Sequence, residues 1–131
     1  AQGNKCATDK VCGGDNIKFS AGMRTLFVGE DTGYRNNNFV WAFNVDTRKL
    51  SRILSVPTGA EATGLQAVDD ANGFSYIMSN FQHPGEIGSS DPDWAQILPL
   101  LDSKWNNRLK TAVGYIGTTT GALPSVGAPG R

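Results

Sequence analysis

Short apolar runs separated by glycine, asparagine and aspartate punctuate this chain from end to end. Asn16-Ile-Lys-Phe19 reads as a short strand, followed by a turn at Ser20-Ala-Gly22, and Thr25-Leu-Phe-Val28 as a second strand that ends at Gly29-Glu30-Asp31. The run Arg35 to Asn38 is a loop, since asparagine favours turns and left-handed backbone. Phe39-Val-Trp-Ala-Phe-Asn-Val45 alternates as a strand with one buried face; Asp46-Thr-Arg turns the chain, and Leu50 to Val56 returns it. The same logic then repeats. Ala62 to Val68 and Phe74 to Ser79 read as strands around a polar turn, Asp69 to Gly73, that carries the Asn72-Gly73 hairpin signal. From Ile87 the character changes. Asp91 before Pro92 marks a helix start, and Trp94 to Leu98 gives one or two helical turns before Pro99 limits them. Lys110 to Ile116 is a candidate closing strand, and residues 117–131, rich in glycine, threonine and proline, read as irregular.

Recurring strand, polar turn and strand is what β-propeller blades of four short strands produce. The predicted fold is therefore all-β: a partial β-propeller of one to two blades, with a short helix and an irregular C-terminal tail. Residues 1–131 form a single unit, of which 87–131 is the less regular part. A chain of 131 residues is about one domain. It is too short to close a propeller, which needs at least about four blades. It begins at Ala1, and the expectation is a processed product or fragment that works inside a larger assembly.

Composition removes several function classes. Lys and Arg number 12 against 12 Asp and Glu, with no basic stripe and no aromatics interleaved with cations, so no nucleic-acid partner is expected. No apolar stretch reaches membrane-spanning length. Cys6 and Cys12, six apart and with His83 the sole histidine, are poorly spaced for zinc. A small-loop disulfide, worth about 2 kcal/mol in the chain-entropy picture, fits better than two free thiols. It implies an oxidising compartment.

Glu61 is the first candidate for chemistry. It sits between Gly59-Ala60 and Ala62-Thr-Gly64, small residues that let backbone approach a crowded centre. At the start of an innermost strand it would face the propeller channel as a hard oxygen ligand for calcium; the alternative is a solvated strand-end carboxylate. Glu30 and Asp31 end a strand as neighbours on opposite faces, so only one of them reaches a given ion. In Gln82-His83-Pro84-Gly85 the imidazole either faces a phosphate or metal, or donates to a carbonyl, and Glu86 belongs to the same turn. Arg35 with Asn36 to Asn38 could hold a phosphate monoester or simply form a solvated loop. Trp41, Trp94 and Trp105 are expected in the core or at the blade interfaces, with Trp41 and Ile77 between sheets. No nucleophile elbow, P-loop or His-Glu-x-x-His occurs.

The strings Pro57-Thr-Gly-Ala-Glu61-Ala-Thr-Gly64 and Asn80-Phe-Gln-His83-Pro-Gly-Glu86, with Phe27-Val-Gly-Glu30-Asp31 and Arg35 to Trp41, resemble the C-terminal part of the PhoX-type alkaline phosphatases. Gly13-Gly-Asp15-Asn16-Ile-x-Phe19 looks like the blade-opening pattern of that family. The resemblance covers about Cys12 to Glu86. It implies a six-bladed propeller, bound calcium and iron, phosphomonoester hydrolysis, and export to the periplasm or outside the cell. In that reading Glu61 and one of Glu30 or Asp31 hold metal, while Arg35 and His83 contact the phosphoryl group. The partners are the remaining blades of the same propeller or parent chain, with self-assembly of copies as another route, and a phosphomonoester substrate. The family's upstream Arg-Pro-Glu motif and iron-binding cysteine have no counterpart here, and Cys6 and Cys12 do not take that role. The isolated chain is accordingly expected to be inactive. The alternative is a non-catalytic secreted propeller with a structural or binding task.

Overall fold

The computed structural model describes residues 4–105, 110–118 and 123–124. Two antiparallel sheets follow one another along the chain. The first is a simple meander of β1 (Gly14–Ser20), β2 (Thr25–Glu30), β3 (Phe39–Asn44) and β4 (Leu50–Ser55). The second pairs β5 (Glu61–Ala71) with β6 (Phe74–Gln82), and β6 in turn with β7 (Ala112–Ile116) and the short β8 (Leu123–Pro124). A helix, α1 (Trp94–Trp105), lies between β6 and β7 in sequence.

The core forms where one face of each sheet meets the other. Phe27, Val40 and Val56 of the first half pack with Ala60, Ala62, Leu65 and Ile77 of the second, and Ile53, Leu54, Phe81 and Ile116 close the margins. Gly29 has no side chain because the backbone of Ala62 occupies the space a Cβ would need. At the other end Asp69 accepts hydrogen bonds from the Ser20 hydroxyl and from the Gly22 N–H. Gly29 pairs with Asn16 near the start of β1, whereas Ser20 ends it. The leading strands β1 and β5 therefore run in the same direction across the interface.

Two boundaries differ from the sequence expectation. The polar turn predicted from Asp69 shrinks to two residues: β5 continues to Ala71, and Asn72 and Gly73 alone, both at positive φ, make the primed turn that matches strand twist. The Asp69 carboxylate has a partner across the interface, so its place in a strand leaves no orphaned charge. The helix does not stop at Pro99, which sits inside it. Pro99 is exposed and removes only one backbone donor, while the buried Leu98 anchors the turn before it.

Trp41 is buried, but away from the intersheet core. It pairs with Val28, while its neighbour Val40 faces inward, so strand alternation turns the indole to the opposite face. Ile77 does lie between the sheets. Trp94 is half-buried; the side chain of Trp105 and most of the predicted irregular tail lie outside the described residues.

Candidate functional site

A polar pocket of about 430 Å³ opens where β2 ends and β5 begins. Asp31, Arg35, Asn36, Glu61, Glu86 and Asp91 contribute to its walls. Three loops shape it, and each is fixed by local chemistry. Asn38, buried, accepts from the Thr32 N–H at 3.2 Å and donates to the Ala60 carbonyl at 2.9 Å, so one amide ties the loop after β2 to the entry of β5. Asn37 donates to the Val56 carbonyl at 2.9 Å. Gly59, at φ +73°, lies against the Glu86 backbone, where a Cβ would collide. The Gly85 N–H reaches the Thr58 carbonyl at 2.7 Å, and the Glu86 N–H that of His83 at 2.9 Å.

The asparagine run is therefore a set of stitches. Asn37 and Asn38 use their amide donors on backbone carbonyls, and Asn36 donates to Asp93 at 3.4 Å. The expected phosphate-binding amides are largely engaged elsewhere.

Electrostatics single out Glu61. Its carboxyl is held above the ordinary carboxylate range, first by burial and next by the Asp31 charge; Glu86 and Asp15 push the same way, and His83 opposes them. No hydrogen bond to the Glu61 side chain forms among the described residues. His83 stands at φ +52° directly before Pro84, an uncommon backbone state for a residue with a side chain. Its Nδ1 lies 3.6 Å from Glu86 Oε2, both side chains being mostly exposed.

Glu30 has a different fate. It is fully buried, and its oxygens accept from the Cys12 N–H at 2.8 Å, the Phe39 N–H at 3.1 Å and the Trp41 indole at 2.7 Å. Arg35, also buried, brings its Nε to 3.7 Å from Glu30 Oε2. One Arg35 Nη donates to the Ala7 and Lys10 carbonyls of the loop that the Cys6–Cys12 disulfide closes. Its guanidinium also lies 5.1 Å from the Phe39 ring centre. The disulfide loop thus caps a buried knot of Arg35, Glu30 and Trp41.

The structure brings Asp31, Glu61 and Arg35 to one pocket, with His83 close enough to act on Glu61, and places Glu30 outside it. Glu30 ends β2 in the buried interior, whereas Asp31, just past the strand, lines the pocket. Among the described residues no three His, Cys, Asp or Glu side chains are placed to hold a metal ion. Calcium takes roughly six to eight oxygens, more than the described carboxylates of this pocket supply by themselves. Sequence reading did not single out Asp91 as a pocket wall or Arg52 as a site residue. Asp91 carried only a helix-start signal, and Arg52 carried none, since its environment is created by contacts across the sheet.

Fold and site together define an antiparallel two-sheet protein with a carboxylate-lined pocket at the shared end of its sheets. Comparison with family models, with curated proteins and with solved structures finds no match for the chain.

Proposed function

We propose that the chain is a pair of adjacent blades from a secreted β-propeller, a phosphatase of the PhoX type, in which it forms part of the wall of the catalytic pocket. The observation that carries this reading is the co-directional β1 and β5. Two successive antiparallel meanders with their leading strands parallel are what neighbouring blades present to a central channel. That arrangement delivers Asp31 and Glu61 to a common pocket. The disulfide and the lack, among the described residues, of any helix long and apolar enough to cross a membrane are compatible with an exported protein.

In this reading the chain contributes oxygen donors and no complete ion site. Calcium and iron, when bound in the whole propeller, would supply charge stabilisation to the phosphoryl group, and most of their ligands come from outside this chain. Glu61 is the residue of this chain closest to that chemistry, and Arg35 acts as a support beneath the pocket. The test is Glu61→Gln in the parent protein, assayed on an aryl phosphate. Activity should fall at least about tenfold, the scale of a lost electrostatic contact to the reacting group, with the fold retained. Unchanged activity removes Glu61 from the site.

A second reading is a non-catalytic propeller, and the structural hydrogen bonds that engage Asn37, Asn38 and Glu30 speak for it. A parent protein that is folded and exported yet turns over no phosphomonoester selects it.

A further inference from the structure

Arg35 lines a second cleft, of about 220 Å³, between the disulfide loop and the β3–β4 hairpin. Its other walls include Asn4, Thr8, Asn37, Phe39 and Arg52, and no carboxylate lines it. This composition is the reverse of the acid-lined pocket. The Arg52 guanidinium lies 5.0 Å from the Phe39 ring centre and 5.9 Å from Trp41, while that of Arg35 lies 5.1 Å and 6.0 Å from the same two rings. Two cations thus converge on a single aromatic pair, itself in an edge-to-face contact. Glu30 balances only one of them. Arg52 is exposed and has no hydrogen bond or ion pair among the described residues, and the buried Arg35 Nε has no hydrogen-bond partner.

A guanidinium resting against a ring is oriented before any ligand arrives, and its N–H fork stays free at the rim. Neutral donors stand beside it. The Thr8 hydroxyl has no partner among the described residues, and Asn4, whose side-chain oxygen accepts from the Asn36 N–H, keeps its amide N–H₂ for another acceptor. Surplus positive charge, a fixed fork and neutral donors without a competing carboxylate suit a small oxygen-rich anion.

We propose that this cleft binds a free tetrahedral oxyanion of the sulfate or phosphate class, with Arg52 as its principal charged contact and Thr8 and Asn4 as neutral donors. The site stands independently of phosphatase chemistry, because Arg52 is no part of the acid-lined pocket.

The test is titration of the whole chain with sodium sulfate at constant ionic strength, followed by amide and arginine side-chain NMR shifts. Saturable shifts are expected at Thr8, Asn4 and the Arg52 Nε–H, with residues around Glu61 unmoved. Arg52→Gln should weaken sulfate binding by about tenfold or more, as loss of a charge-assisted hydrogen bond requires. Thr8→Asp, which leaves Arg52 in place and adds a negative charge at the rim, should do the same. Glu61→Gln should leave sulfate binding as it is, which separates failure here from failure of the phosphatase reading. Shifts that grow linearly without saturation, or that persist in both cleft variants, overturn the site. Acetate binding as tight as sulfate overturns the tetrahedral assignment. Phenyl phosphate binding more than about tenfold tighter than inorganic phosphate overturns the free-ion assignment in favour of an esterified group.

Discussion

Glu30 and Glu61 begin as equivalents: each is a carboxylate at the end of a strand, beside glycine or alanine. In the folded chain they occupy opposite situations. Glu30 is sealed beneath the disulfide loop with three N–H donors and a guanidinium around it. Glu61 lines an open pocket among other carboxylates and receives no hydrogen bond from the described residues. The same functional group is a structural keystone in one place and, in the other, a solvent-facing acceptor with no protein donor among the described residues. The difference comes from what surrounds them: Cys12 of the disulfide loop and Phe39 and Trp41 of β3 carry donors to Glu30, while Asp31 and the loop of residues 83–91, with Glu86 and Asp91, bring more carboxylate to the pocket of Glu61. A buried, fully bonded carboxylate explains itself, whereas a partly exposed one whose proton affinity is raised by burial and by its neighbours invites a ligand.

The sharpest way to break this contrast is to remove each carboxylate. Glu30→Ala leaves the Arg35 charge and three N–H groups buried without their acceptor, and breaking a buried ion pair costs about 3–5 kcal/mol. Glu61→Ala should change stability by no more than about 0.5 kcal/mol, as at other solvated positions. Urea denaturation followed by tryptophan fluorescence measures both. Equal losses would mean that Glu61 is as structural as Glu30.

The next largest effect concerns the loop that covers Glu30. Replacing Cys6 and Cys12 with serine frees a seven-residue loop and should cost about 2 kcal/mol. Because that loop supplies the carbonyls that hold Arg35 and the N–H of Cys12 that meets Glu30, the two perturbations should not add. Glu30→Ala should cost less in the cysteine-free background than in the wild type. Strict additivity would show that the loop and the carboxylate are energetically separate, and that the knot is only a set of neighbours.

Much of the architecture was legible because its signals are local. Alternation in Phe39 to Asn44 and the Asn72-Gly73 turn fix strands and a hairpin without reference to the rest of the chain. The gathering of Asp31, Glu61 and Arg35 was legible only as a set of separate candidates. The face of Trp41 was not legible, because alternation says that Val40 and Trp41 diverge but not which of them meets the second sheet. Nor was the role of Glu30, since its donors come from residues 9 to 18 positions away. The Arg52 cleft depends on the same kind of information: an arginine in a strand has no local signature, and only the cross-strand pairing of Arg52 with Trp41 puts its guanidinium on an aromatic face.

The smallest expected effect tests the electrostatic half of the comparison. Burial and the Asp31 charge hold the Glu61 carboxyl above its ordinary value of 4.5, so the folded chain keeps this proton at pH values where the unfolded chain has released it. In that window the native state binds more protons, and stability from this group falls as pH rises. Below the ordinary glutamate range both states are protonated and the group contributes no pH dependence. Glu61→Gln removes the titration while keeping the shape. The variant should match the wild type near pH 3 and become the more stable of the two as pH climbs past the ordinary glutamate range, with a gap of at most about 0.5 kcal/mol because the site is open to solvent. Paired denaturation curves between pH 3 and pH 8 read the difference directly. If the wild type instead gains on the variant with rising pH, the ionised Glu61 has found donors in solution. It would then be a second Glu30, and the contrast between the two carboxylates would collapse.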